Sequence, residues 1–214
     1  MADVRLLPTP LGDARIDVRR ARRPLATLVL THGAGGGIDA PDLRRLAVAL
    51  PPQGLSVLRV EMPWRVAGKK LAPRPPLIDE AFRAVLKGLR MRTPLVLGGR
   101  SAGARSACRL ATEVGAAGVL ALCFPLHPPG RPESTRLPEL QGAGVPVLVV
   151  QGERDPFGTP AEFPADTELA VVPDGDHSLR LPKAAGLTQA EALAIVVEAT
   201  LEWVVREVSG NRSR

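Results

Sequence analysis

Pro94-Leu95-Val96-Leu97-Gly98-Gly99-Arg100-Ser101-Ala102-Gly103 carries the pattern that decides the fold. An apolar run of strand character ends in the G-x-S-x-G of Gly99 to Gly103, and the small-residue stretch Ala102 to Val114 then reads as a helix. A serine set between a strand and a helix needs a tight, strained turn. The residues two positions to either side must be small, or the two elements collide. Gly99 and Gly103 meet that need, and such a turn lifts the Ser101 hydroxyl clear of the sheet.

Outward from this turn, strand-like runs alternate with segments of helical period, which argues for an α/β fold with a largely parallel sheet flanked by helices on both faces. Leu25 to Leu30, Leu55 to Val60, Leu95 to Gly98, Gly118 to Phe124, Val145 to Val150 and Leu169 to Val172 read as strands. Asp42 to Leu50 reads as a helix with Pro41 in its first turn, and Ile78, Phe82, Val85, Leu86 and Leu89 mark another. The last helix opens with Thr188-Gln189-Ala190-Glu191, a capping box, and Leu193, Val197, Leu201 and Val204 are expected on its inner face. Residues 1–24 form an edge-strand region, Ala72 to Pro76 and Phe124 to Pro138 are Pro-rich loops, and 210–214 is a polar, frayed tail. The expectation is one domain over 1–214 without a cap.

A length of 214 residues suits one well-buried core. No stretch approaches the ~20 apolar residues of a membrane span, and the first residues lack the apolar segment of a secretory signal. The two cysteines, Cys108 and Cys123, fall in a helix and a strand and read as buried free thiols, so a cytoplasmic protein is expected. The formal net charge of +6 comes from arginine in a chain rich in Ala, Pro and Gly. Nucleic-acid binding would want that charge focused on a reading element or interleaved with stacking aromatics; tyrosine is absent here, and the densest run, Arg15, Arg19, Arg20, Arg22 and Arg23, alternates along an expected edge strand and its turn.

A serine hydroxyl becomes a nucleophile when a base takes its proton and an acid fixes the tautomer of that base. The chain holds three histidines. His177, in Asp174-Gly175-Asp176-His177-Ser178, follows a strand and is the choice for base. Asp155, in Gln151-Gly152-Glu153-Arg154-Asp155-Pro156-Phe157-Gly158, is favoured as acid because an Asp-Pro turn presents a carboxylate from a rigid loop. Glu153 is its rival, and Asp176 is disfavoured by adjoining His177. Thr31-His32-Gly33-Ala34-Gly35-Gly36-Gly37 follows the first buried strand, where the backbone N–H groups of Ala34 and Ala102 would face a developing oxyanion. His32 reads as a holder of that loop. The glycines lack the G-K-[ST] ending and the G-x-G-x-x-G spacing of phosphate cradles, so neither a nucleotide nor another cofactor is expected.

Other residues on the same rim are candidates for substrate contact: Trp64, Arg65, Arg100, His127 and Phe157. Trp64 either lines an acyl pocket or covers the sheet end. Arg65, Lys69 and Lys70 either favour an anionic substrate or form a solvated run. His127 has no second histidine or cysteine at ligand spacing, so it reads as pocket wall or loop anchor and no metal is expected.

Together the glycine loop, the elbow, Asp155 and His177 resemble an α/β-hydrolase of the small, lid-less, dienelactone hydrolase-like kind. The likeness tightens at Pro63-Trp64-Arg65-Val66-Ala67-Gly68-Lys69-Lys70, at Gly98 to Arg105, at Phe124-Pro125-Leu126-His127-Pro128-Pro129-Gly130 and at Gln151 to Gly158. There the chain is similar to the hydrolase-like family that includes a testis-expressed protein and a subunit of the NSL histone-acetyltransferase complex. The resemblance implies the α/β-hydrolase fold and matches a Ser-Asp-His triad to Ser101, Asp155 and His177; it does not name a substrate. Two functions follow as expectations. One is a serine hydrolase of small esters or thioesters working through an acyl-enzyme; the other is a non-catalytic interaction module on the same scaffold.

Overall fold

A computed structural model describes residues 3–209, so the expected frayed tail at 210–214 lies outside the described residues. Eight strands form one sheet: β1 (Asp3–Thr9), β2 (Gly12–Arg19), β3 (Ala26–Thr31), β4 (Leu55–Glu61), β5 (Leu95–Arg100), β6 (Gly118–Leu122), β7 (Val147–Gly152) and β8 (Glu168–Val172), in the order β1-β2-β4-β3-β5-β6-β7-β8. β3 to β8 run parallel, and β1 and β2 are antiparallel additions. Six α-helices accompany them among the described residues: α1 (Pro41–Ala49), α2 (Pro63–Val66), α3 (Pro75–Gly88), α4 (Ala102–Leu110), α5 (Leu137–Gln141) and α6 (Gln189–Trp203).

Strand alternation makes two cores. In β3, Ala26, Leu28 and Leu30 face the layer of α1 and α6, while Val29 faces the layer of α3 and α4. β5 divides the same way, Val96 to the first layer and Leu95 and Leu97 to the second. A strand apolar on both sides must be covered twice, which is why these runs read as continuous apolar sequence. The chain passes from β3 to β4 on one side and then to β5 on the other. The crevice this reversal leaves at the carboxyl ends of β3 and β5 is where open α/β sheets place ligands.

Several elements depart from expectation. Within the expected edge-strand region, β1 and β2 form a hairpin, and the outer edge is β1, whose Val4 and Leu6 are exposed. β2 is interior because Ala14, Ile16 and Val18 give it one buried face, while on its other face Arg15 reaches Glu61 at 2.8 Å. Pro75 and Pro76 open α3 instead of belonging to a loop, since proline suits a helix's first turn. α4 stops at Leu110, not Val114. Gly115 adopts φ 65° and the Ala116 N–H returns to the Ala111 carbonyl at 2.9 Å, which closes the helix end. β6 ends at Leu122 because Cys123 turns the chain with φ 48°.

α6 keeps its capping box, with Thr188 and Glu191 bonded reciprocally, but its buried face is Ala192, Val196, Thr200 and Trp203. Leu193, Val197 and Leu201 flank that face half-buried, while Val204, just past the helix end, is buried as expected. The register shifts by one residue because the Thr200 hydroxyl is satisfied by the Val196 carbonyl at 2.7 Å, leaving its methyl free to pack, and because Trp203 fills the space over Gly118. Any side-chain carbon at Gly118 would lie 2.7 Å from that indole.

Candidate active site

Ser101 sits between β5 and α4 with φ 52° and ψ −112°, a conformation non-glycine residues adopt only under constraint. The constraint is visible in its neighbours. A Cβ on Gly99 would lie 2.6 Å from the Thr31 carbonyl oxygen, and one on Gly103 would lie 2.8 Å from that of His32. Both obstacles are backbone of β3 and the loop after it, so the glycines are what let the elbow press against that strand. Cys123, Asp174 and Leu179 also carry positive φ, so the strained non-glycine backbone among the described residues gathers at the carboxyl ends of β5, β6 and β8.

His177, on the loop after β8, places Nε2 3.0 Å from Ser101 Oγ and Nδ1 2.7 Å from Asp155 Oδ2. Asp155 is fully buried. Its Oδ1 accepts the Phe157 N–H at 2.9 Å, and its Oδ2 also accepts from Gln151 Nε2 at 2.9 Å. A carboxylate with these donors takes the Nδ1 proton of His177 as a hydrogen bond, leaving Nε2 unprotonated toward the serine hydroxyl. Phe157 stacks on the imidazole with ring centroids 4.1 Å apart. The rival acids are occupied elsewhere: Glu153 accepts the Asp174 N–H at 2.8 Å, and Asp176 accepts the N–H groups of Ser178 and Arg180.

Two loops must meet for Asp155 to reach His177, and they meet backbone to backbone. The Arg154 N–H donates to the Gly175 carbonyl at 2.8 Å, and a Cβ on Gly152 would lie 2.4 Å from that same oxygen. Gln151 ties the arrangement together, its amide reaching the Phe124 and Gly158 carbonyls as well as Asp155. The carboxyl-terminal polar residue of an otherwise apolar strand was the available signal for this role.

The glycine loop is held at both ends. His32 Nδ1 bonds the Gly33 carbonyl at 2.8 Å, and its Nε2 accepts the Met62 N–H at 3.0 Å, which fixes a neutral tautomer with the proton on Nδ1. At the far end Arg59, paired with Asp17, donates to the Ile38 carbonyl at 2.8 Å. Burial lowers the pKa of His32 to about 4. A depressed histidine pKa contributes stability that is complete above the ordinary value near 6.5 and is lost as pH falls toward 4, because the unfolded chain then binds the extra proton. The loss should approach about 3 kcal/mol as pH nears 4, and its onset at about pH 6 precedes the range where carboxylates titrate. His127, raised by the Pro128 carbonyl and by Glu162, acts in the opposite sense. Urea unfolding of wild type and His32→Gln between pH 7.5 and 4.5 separates them: the acid-side slope should flatten in the variant, and parallel curves would refute the assignment.

The serine faces a cleft of about 810 Å³ lined by Ala34, Arg65, Arg100, Ala102, Phe157 and His177 among others. Two candidates for substrate contact lie outside the cleft and take the other role open to each. Trp64 is buried beneath, edge-on to the His32 ring at a centroid distance of 5.2 Å, because Pro63 opens α2 and turns the indole into the core. His127 is anchored by the Pro128 carbonyl and Glu162, each at 2.8 Å, and stays outside the cleft. Of the basic loop only Arg65 reaches it; Lys69 borders a separate apolar groove with Leu71 and Pro73. Arg100 lines the cleft, but its guanidinium is engaged by Asp42 at 2.9 Å and by the His177 carbonyl. Cys108 and Cys123 are free and buried, and burial pushes the Cys108 thiol up to about 12.

A doubly wound sheet with a strained serine turn at its switch point, facing a histidine backed by a buried carboxylate, defines the α/β-hydrolase class. Within that class, residues 24–205 match the model of the family described as Alpha/beta hydrolase domain, and the chain belongs to that family. Three solved structures share the fold. A lid-less α/β serine hydrolase of Xanthomonas campestris aligns over 94% of this chain and 94% of its own, with 18% identity and a TM-score of 0.72. Est1E of Butyrivibrio proteoclasticus aligns over 95% and 99%, with 14% identity and a TM-score of 0.71. A dienelactone hydrolase of Anabaena variabilis aligns over 97% and 98%, with 16% identity and a TM-score of 0.70. No helix among the described residues is long and apolar enough to cross a membrane.

Proposed function

We propose that this chain is a serine hydrolase of carboxylesterase or thioesterase type, with Ser101 as nucleophile, His177 as base and Asp155 as the acid that orients it. The observation that carries the reading is the continuous path from Ser101 Oγ to His177 Nε2 at 3.0 Å and from His177 Nδ1 to Asp155 at 2.7 Å, ending in an open cleft. Ser101 Oγ bonds to the acyl carbon as Nε2 takes the hydroxyl proton, and the backbone N–H groups of Ala34 and Ala102 hold the oxyanion. The alcohol or thiol leaves with the proton from Nε2. Water then attacks the acyl-enzyme as His177 takes its proton, and that proton returns to Ser101 Oγ as the bond to the acyl carbon breaks and the acid leaves.

The substrate in this reading is a small ester or thioester, since among the described residues no cap encloses the cleft for a long chain. The same reading places the protein in the cytoplasm, without a nucleic-acid partner, as a single domain over 1–214. It keeps the kinship with the group that includes the testis-expressed protein and the NSL complex subunit. An interaction module would have no use for a carboxylate sealed beneath a histidine that points at a strained serine. Intact-mass analysis after fluorophosphonate treatment tests the reading. One adduct on wild type and none on Ser101→Ala is expected; a folded wild type that takes no label refutes it.

A further inference from the structure

Five arginines line the cleft: Arg65, Arg100, Arg105, Arg136 and Arg180. Two are neutralised. Arg100 pairs with Asp42, and Arg105 pairs with Glu139 through two contacts of 2.8 and 2.5 Å. Among the described residues the other three make no ion pair. Of the carboxylates on the rim, Glu61 is turned to Arg15 and only the exposed Asp39 remains.

Arg136 is the most telling. It is half-buried on the wall built by residues 124–138, where its Nη1 meets only the Pro125 carbonyl, at 3.3 Å. Burial and the neighbouring charge of Arg105 lower its pKa, with Glu139 opposing them incompletely. Arg65, which enters the cleft from α2, has an Nε shut away from solvent without a partner and an Nη1 that touches the Lys69 carbonyl at 3.5 Å. Arg180 follows the loop of His177, whose turn is tied by the Arg180 N–H to Asp176 at 3.0 Å. The guanidinium groups of Arg136 and Arg65 are poorly satisfied by the protein, and a bidentate anion is the partner that suits them, while the exposed Arg180 adds positive charge at the rim.

We propose that the cleft holds an anion subsite in which Arg136, framed by Arg65 and Arg180, binds a carboxylate or phosphate of the substrate, so that the preferred ester is an acidic one. This rests on the esterase reading for its chemistry, though not for its binding. The acyl carbon sits at Ser101 while the charged end of the same molecule reaches the arginine wall.

The test compares the mono-4-nitrophenyl ester of glutarate with 4-nitrophenyl pentanoate at fixed ionic strength. Wild type should favour the acidic ester at least roughly tenfold in kcat/KM, as expected for one charge-assisted pair. Arg136→Gln should collapse that ratio through KM, and Arg136→Lys should restore part of it. Arg90→Gln, at the other end of the sheet, should leave the ratio in place. In parallel, glutarate and inorganic phosphate are tested for raising Tm of wild type and not of Arg136→Gln. Stabilisation by glutarate alone identifies a carboxylate ligand, and by phosphate alone a phosphate one. A wild-type ratio near one, or an unchanged ratio in Arg136→Gln, overturns the subsite while leaving the esterase intact. If neither ester turns over but an anion still protects wild type selectively, the esterase reading falls and the subsite stands; if no anion protects either, both fall.

Discussion

Asp155→Asn is expected to lower kcat about 10⁴-fold while leaving the fold in place, the size of effect seen when a triad carboxylate becomes an amide. Asp155 accepts from the Phe157 N–H at 2.9 Å, from Gln151 Nε2 at 2.9 Å and from His177 Nδ1 at 2.7 Å, so each contact demands an acceptor. An asparagine that keeps its carbonyl on the Phe157 N–H must turn its NH₂ toward His177 and Gln151. The imidazole then accepts at Nδ1 and carries its proton on Nε2, pointing at Ser101, where it can no longer take the hydroxyl proton. Ground-state binding does not involve this carboxylate, so KM should change little. Ester hydrolysis with a parallel Tm measurement checks the claim. A loss of less than tenfold in a folded variant would mean that Asp155 does not set the tautomer.

That constellation was legible because each member sits where an apolar run gives way to turn residues. Gly99 and Gly103 announce a serine between crowded backbones, and Asp155 and His177 follow the two later strands of the parallel set. What stayed hidden depends on distances that only the folded chain creates. Asp42 has an ordinary explanation in the first turn of a helix, and nothing local to it points to Arg100, 58 positions away. Gln151 looks like the polar end of a strand until its amide is seen spanning Phe124, Asp155 and Gly158. For Trp64 and His127 the sequence leaves two roles open, and only the fold selects sheet-end cover for the one and loop anchor for the other, since a position at a strand's end does not say whether the side chain points into the crevice or under it. α6 misled for a different reason: residues 192–201 are apolar almost all round, so periodicity could not select the face that Thr200 and Trp203 settle.

Asp42→Ala is expected to cost about 3–5 kcal/mol of stability and to lower kcat as well, and the two effects should be separable. Asp42 is almost fully buried, with Oδ1 on the Leu43 N–H and Oδ2 on Arg100 Nε, each at 2.9 Å. Burial opposes the charge of Arg100, and its neighbours, Asp42 and Asp155 among them, outweigh it. Removing Asp42 strands a buried guanidinium beside Ser101, the situation in which truncating one partner of an ion pair is most damaging. Replacing both members with apolar groups of similar volume, Asp42→Leu with Arg100→Met, removes the stranded charge and should recover most of the stability in urea unfolding. It should not recover kcat. Arg100 also donates to the backbone carbonyl of His177, and a methionine leaves that carbonyl without its donor and the imidazole free to drift from the 3.0 Å contact with Ser101. If the double variant regained both stability and turnover, Arg100 would be a buried ion-pair member only. Stability without turnover would make it a positioning residue for His177.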